Sequence, residues 1–290
     1  MRKVRKAIVP VAGFGTRFLP FTKAVAKEML PIVDTPTIQL IVEELVDSGI
    51  EDILFITNRN KHEIEDHFDY AIELENSLKN SGKTKLYEEI RSIADKANFY
   101  YKRQKETKGL GHAILQGKEF VGDEPFAVVL GDDIVYNEKE PAIGQLLKKF
   151  EETQTDVVGC QKVAIENINK YGSIEADQID DRTYKIKWCV EKPKPEEAPS
   201  NVAILGRYVF TKEIFKYIEQ TKPGFGGEIQ ITDAIDKLAQ NEGVYGYIYE
   251  GKRYDVGSKI GFLKATVEYA LRNDELKEEF KEYLKNLNIN

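Results

Sequence analysis

The sequence predicts an α/β fold: a mixed, mostly parallel sheet flanked by helices, followed by an antiparallel hairpin region. Three observations carry this. Short apolar runs at 7–12, 53–57 and 126–130 read as strands buried on both faces, and the first and third stop at loops bearing glycine or aspartate. Between the first two runs, Ile38, Ile41, Val42, Leu45 and Val46 recur at helical spacing. Beyond residue 170 the pattern turns to paired strands around a polar turn.

The elements follow in order. Strand 7–12 runs into Gly13-Phe14-Gly15-Thr16-Arg17. Thr35 as N-cap and Pro36 as first helical residue open a helix that Gly49 closes. With strand 53–57 this makes a strand–helix–strand unit, which crosses over right-handed. Residues 62–97 are charge-rich, with Ile64, Phe68, Ala71, Ile72 and Leu74 at helical spacing, and predict a helical excursion. Strand 98–104 leads into Lys108-Gly109-Leu110-Gly111 and a helix over 112–120. Strand 126–130 stops at Gly131-Asp132-Asp133; a helix over 141–152 and a strand over 156–163 follow. Segments 172–177 and 184–190 form a hairpin, and 192–199 is a proline-rich loop. Strand 202–210, helix 214–218, strand 244–249, helix 258–272 and an amphipathic helix over 274–287 complete the chain. No repeat or compositional break divides it. A single domain over 1–290, with a C-terminal helical segment 258–290, is expected.

Of 290 residues, 41% are apolar, enough to exclude a disordered chain. The net charge of −7 favours neither nucleic acid nor an anionic membrane, so an anionic substrate needs local positive charge. Cys160 and Cys189 form no disulfide framework or metal-ligand pair. The N-terminus is basic then apolar, but its apolar stretch is too short for a secretory signal. No apolar run approaches the roughly 20 residues of a membrane helix, and a cytoplasmic protein is expected.

Ligands on such sheets sit beyond the carboxyl ends of strands. That points to residues 13–17, 104–111 and 132–133. The first loop is neither a dinucleotide fingerprint nor a Walker A: Phe18 stands where a third glycine would, and no GK[ST] follows. Its glycines let backbone N–H groups approach a phosphate, with Arg17, Lys23 and Lys27 close by. Asp132 and Asp133 end an apolar strand, where a carboxylate suits Mg²⁺, which takes one or two carboxylates and phosphate oxygens. Asp255 follows a strand too, or caps the helix from Ser258. Glu191 and Lys192 close the hairpin. There Glu191 could hold sugar hydroxyls and Lys192 a phosphate, and Tyr171-Gly172 could let backbone approach a ligand. His62, His67 and His112 are scattered, with no zinc spacing.

The run AIVPVAGFGTRFLPFTKAVAKEMLPIVDTP, then Glu65-Asp66-His67-Phe68, RQKETKGLGHAI, LGDDIV, YGSIEAD, VEKPKPEEAPSN, GGEIQITDAI and RYDVGSKIGFLKATVEYA occur in that order. Together they resemble the bacterial UTP–glucose-1-phosphate uridylyltransferases of the sugar-phosphate nucleotidyltransferase family, over about residues 5–272. The resemblance implies a Rossmann-like nucleotidyltransferase fold, Mg²⁺ dependence, UTP and glucose 1-phosphate as substrates, and a homo-oligomer. It implies nucleoside contacts at Ala12 and Gly13, nucleotide binding at Gly15, and phosphate contacts at Arg17 and Lys27. Gln104 and Gly109 match uracil contacts, and Asp132 a Mg²⁺ ligand with Asp255 a second. Gly172, Glu191 and Lys192 match the sugar-phosphate side. Departures include Phe21 and Ala26 beside the phosphate-binding lysines, and Thr107-Lys108 where Pro-Leu is usual. A related transferase with another base or sugar, or a non-catalytic binder of UDP-sugars, are the alternatives. A uracil-reading site needs a group that donates and accepts at fixed positions, which the Gln104 amide can do.

Overall fold

The computed structural model describes residues 3–288, so the first and last two residues of the expected domain lie outside it. The principal sheet has nine strands: β1 Lys6–Pro10, β2 Asp52–Thr57, β3 Asn98–Arg103, β4 Phe126–Val129, β5 Val157–Lys162, β6 Gly172–Gln178, β7 Thr183–Glu191, β8 Val202–Phe210 and β9 Tyr245–Ile248. Their order is β3-β2-β1-β4-β8-β5-β9-β7-β6. The first four run parallel, β8 and β7 run against the rest, and β5 and β9 pair parallel. The mixed sheet and its antiparallel hairpin are as the sequence predicts.

β1 shows why the buried strands read as unbroken apolar runs. Ala7 and Val9 face one core and Ile8 the other, so none of the three meets water. One core takes Ile38, Ile41, Val42 and Leu45 from helix Thr37–Asp47 and Leu146 from helix Ala142–Thr153. The other takes Ile114, Phe215, Ile235 and Leu238 from helices on the opposite face. A two-stranded ribbon, Asp133–Tyr136 against Lys252–Asp255, projects beyond β4 and packs on helix Lys259–Ala270. Its register sets Asp255 opposite Asp133. No helix among the described residues is long and apolar enough to cross a membrane.

Several boundaries differ from the sequence reading. Thr35 is not an N-cap and Pro36 is not the first helical residue. Thr35–Pro36 pairs with Pro31–Ile32 in a short ribbon, and the helix starts at Thr37, whose hydroxyl donates to the Leu30 carbonyl at 2.8 Å. That ribbon holds Pro36 extended at ψ 139°, outside the helix. The helix expected over 112–120 is two, Leu110–Leu115 and Lys118–Val121, separated at Gly117. Helix Ile231–Asn241 is absent from the sequence reading, although Ile231, Ala234, Ile235 and Leu238 stand at helical spacing and are buried. Ser258, not Asp255, caps helix Lys259–Ala270, accepting from the Gly261 N–H at 3.1 Å. The terminal helix Lys277–Asn286 buries none of its residues.

Candidate active site

The loops after β1, β2 and β3 enclose a cleft of about 830 Å³, lined by Phe14, Asn58–Asn60 and residues 103–108. A second cleft, of about 630 Å³, lies toward the hairpin. It is lined by Arg17, Asp132, Tyr171, Gly172, Glu191, Lys192, Arg253 and Asp255 among others. The glycine loop after β1 contributes to both, Phe14 to the first and Arg17 to the second.

On the wall of the second cleft, Asp132 carries an ion pair. Lys27 Nζ lies 2.5 Å from Asp132 Oδ2. Burial works against charge on both groups. Each nevertheless holds the other ionised: the Asp132 carboxyl sits below the usual carboxylate range and the Lys27 ammonium above its own. Behind Lys27 lies a fully buried partner set that the sequence reading missed. Glu28 is 1% exposed, 4.0 Å from Lys27 Nζ, and accepts from buried Lys61 Nζ at 2.6 Å. Charges alternate through Lys61, Glu28, Lys27 and Asp132. The sequence signal was weak, because a lysine and a glutamate in polar stretches read as solvated surface.

Asp132 and Asp133, adjacent in sequence, have different surroundings. Asp133 is buried and ion-paired to Arg253 at 2.8 Å, with Arg207 at 3.7 Å. Arg207 is wholly buried and also binds Glu44 through two hydrogen bonds. Both border the second cleft, but Asp133 is taken up in anchoring the ribbon.

The ribbon also brings Asp255 to Asp132. A Cβ at Gly257 would stand 2.6 Å from Asp132 Oδ2 and 3.1 Å from Asp255 Oδ1, so both carboxylates open on one small space that glycine leaves clear. Burial raises the Asp255 carboxyl above its ordinary value, and the neighbouring Asp132 and Asp133 charges add to this against Arg253. Two hard oxygen donors with room between them suit a divalent cation that completes its shell from phosphate oxygens. The described residues hold no cluster of three or more ligand-type side chains.

The other expected site residues fall as follows. The Ala12 carbonyl accepts from Asn58 Nδ2 at 2.7 Å, tying the loops after β1 and β2 together. Gly13 has open space where a Cβ would go. Gly15 is left-handed at φ 66°, and a Cβ there would press on Lys27 and Thr22 at 3.1 Å. Arg17 donates to the Gly257 carbonyl at 3.3 Å, reaching across to the ribbon. Lys23 is exposed. On the hairpin, Glu191 pairs in register with Gly172 and accepts from Thr232 Oγ1 at 2.6 Å. Lys192 is also left-handed, at φ 47°, with its ammonium 3.1 Å from Glu191 Oε1.

The two residues expected at the base have protein partners of their own. Gln104 is buried at 6% exposure. Its side-chain nitrogen donates to the Gly109 carbonyl at 3.3 Å and contacts His112 Nδ1 at 2.8 Å. At Gly109 the chain packing alone already requires glycine. A Cβ there would lie 2.7 Å from Glu228 Cβ and 2.9 Å from the Ile229 carbonyl oxygen.

The family model for nucleotidyl transferases matches residues 6–272. The UTP–glucose-1-phosphate uridylyltransferase of Bacillus subtilis is 53% identical over 287 residues, 99% of this chain and 98% of its own. The UTP–glucose-1-phosphate uridylyltransferase 2 of Staphylococcus saprophyticus is 53% identical over 290 residues, all of both chains. Among solved structures, a UTP-bound enzyme of this kind from Acinetobacter baumannii has a TM-score of 0.91 at 36% identity, covering 98% of this chain and 99% of that one. A UDP-glucose pyrophosphorylase complexed with UDP-glucose has a TM-score of 0.85 at 44% identity, covering 93% and 100%. The chain belongs to the nucleotidyl transferase family, and its full-length relatives place it among the UTP–glucose-1-phosphate uridylyltransferases.

Proposed function

We propose that the chain transfers a uridylyl group from UTP to α-D-glucose 1-phosphate, giving UDP-glucose and pyrophosphate. The observation that carries this is the Lys27–Asp132 pair on the second cleft, which shares the glycine loop after β1 with the first. The nucleoside occupies the cleft between Phe14 and Gln104, and the sugar phosphate the cleft bearing Gly172, Glu191 and Lys192. The reacting phosphates then meet beside Lys27, Arg17 and Asp132.

Two anions must be brought together in a protein of net charge −7, and Arg17, Lys27 and Lys192 supply the local positive charge. Asp132 and Asp255 would hold Mg²⁺, which when bound neutralises phosphate charge as a Lewis acid. A phosphate oxygen of the sugar phosphate attacks the α-phosphorus of UTP in line, and pyrophosphate leaves opposite. No general base is needed, because a phosphate monoester is already anionic at neutral pH. Glu191, fixed by Thr232, accepts from sugar hydroxyls, and backbone N–H groups of the loop around Gly13 and Gly15 approach the triphosphate. The reading extends to a cytoplasmic homo-oligomer. Buried, unpaired Cys160 and Cys189 support the compartment, and exposed Ile260, Leu263 and Tyr283 support self-association.

The test is pyrophosphate release by the purified chain with glucose 1-phosphate, Mg²⁺ and each of UTP, dTTP, CTP and ATP. UTP should exceed CTP by at least about 10-fold in kcat/KM, since a mismatched base edge leaves buried polar groups unpaired. Another nucleotide matching UTP would point to a related transferase. Binding of UDP-glucose without turnover would point to a binder.

A further inference from the structure

We propose that His112 sets base selectivity by fixing the Gln104 amide so that Gln104 offers the nucleobase an acceptor alone. The proposal rests on the reading of the larger cleft as a uracil-nucleotide site.

The amide orientation follows from its neighbours. A carbonyl oxygen can only accept, so the Gln104 atom 3.3 Å from the Gly109 carbonyl is the nitrogen. The same nitrogen lies 2.8 Å from His112 Nδ1, which must then accept. His112 is therefore neutral, with its hydrogen on Nε2. Burial, and then the charge of Lys108, hold its ring below the ordinary histidine range, which favours that form. Gln116 Nε2 also approaches His112 Nε2, at the longer distance of 3.3 Å. The shorter contact at Nδ1 sets the tautomer.

With both amide hydrogens committed, Gln104 presents Oε1 to the cleft that it lines. Uracil carries a hydrogen on N3 and pairs with that oxygen. Cytosine carries a lone pair on N3 and is repelled. Without His112, only the longer bond to Gly109 opposes turning the amide over. The turned amide offers NH₂, which suits cytosine. Thymine has the same edge as uracil and gains nothing from the turn.

The experiment compares kcat/KM for UTP, dTTP and CTP in wild type, His112→Leu, His112→Gln, Gln104→Leu and the His112→Leu/Gln104→Leu double variant, with melting temperatures as a check on folding. His112→Leu should lower the UTP-to-CTP ratio by about 10-fold, the size of one lost hydrogen bond, while leaving UTP-to-dTTP unchanged. His112→Gln keeps an acceptor and should hold the wild-type ratio. In the Gln104→Leu background, His112→Leu should change the ratio no further. An unchanged UTP-to-CTP ratio in His112→Leu overturns the proposal. So does an equal fall with Gln104 already removed, or a parallel loss for all three nucleotides. A wild type that fails to prefer UTP over CTP overturns the underlying reading instead.

Discussion

Asp132 and Asp133 are neighbours in the chain and both border the second cleft, but their partners differ: Asp132 pairs with Lys27, and Asp133 is buried between Arg253 and Arg207. Their conservative substitutions should therefore fail in different ways. Asp132→Asn should leave the fold intact and lower turnover by roughly 100–1000-fold, the effect of losing one electrostatic contact to a transition state. Asp133→Asn should cost roughly 3–5 kcal/mol of stability, because it leaves buried guanidinium charge uncompensated. Urea unfolding and steady-state turnover on both variants separate the roles; equal losses of activity with no loss of stability would reject them.

Lys61 and Glu28 form a buried pair whose geometry makes a second prediction. Lys61→Met strands the Glu28 carboxylate in the interior and should destabilise by about 3–5 kcal/mol. The double variant Glu28→Gln/Lys61→Met removes the stranded charge and should recover most of that. Chemical denaturation of the three proteins measures it, and additive losses in the double variant would contradict the pairing.

Gly13 and Gly15 lie two residues apart and should respond differently to alanine. Gly15→Ala is strained by its left-handed backbone and pushes on Lys27, so about 1–2 kcal/mol of stability and much of the activity should go. Gly13→Ala meets no atom of the described residues within 4 Å, so its melting temperature should hold. Its KM for UTP should rise, because the added methyl enters space assigned to the nucleotide. A stability loss at Gly13, or an unaltered KM there, would count against placing the nucleotide at this loop.

Asp156 predicts a pH dependence of stability. It is buried with no cation beside it among the described residues, accepting from the Thr211 N–H at 2.7 Å and from its hydroxyl. Burial pushes its carboxyl up to about 6. The folded state thus holds this proton more tightly than the unfolded chain. The contribution is fully present below the unfolded pKa near 3.8 and is lost as pH rises through about 6. Asp156→Asn keeps an acceptor for the Thr211 N–H and removes the buried charge. It should be more stable than wild type at pH 8 by roughly 2–3 kcal/mol, the gain shrinking between pH 6 and 4. Thermal melts of both proteins across that range test this; a constant difference would remove Asp156 from the account.

The sequence by itself determined the layers of the fold and the positions of the loops that carry chemistry. Buried strands such as β1 and β4 are legible because both faces are apolar, and helix Thr37–Asp47 because its stripe repeats at helical spacing. It also located the loops that carry Arg17 and Asp132, since a glycine or aspartate after an apolar run marks a strand's carboxyl end. What the tertiary structure alone decided is which polar groups meet. Burial of Lys61 on Glu28, of Arg207 on Glu44 and of Asp133 on Arg253 depends on contacts between distant segments. Composition and spacing report only a residue's own periodicity. The same holds for Gln104: its residue type shows that an amide can donate and accept, but only Gly109 and His112, folded against it, decide which of the two it offers.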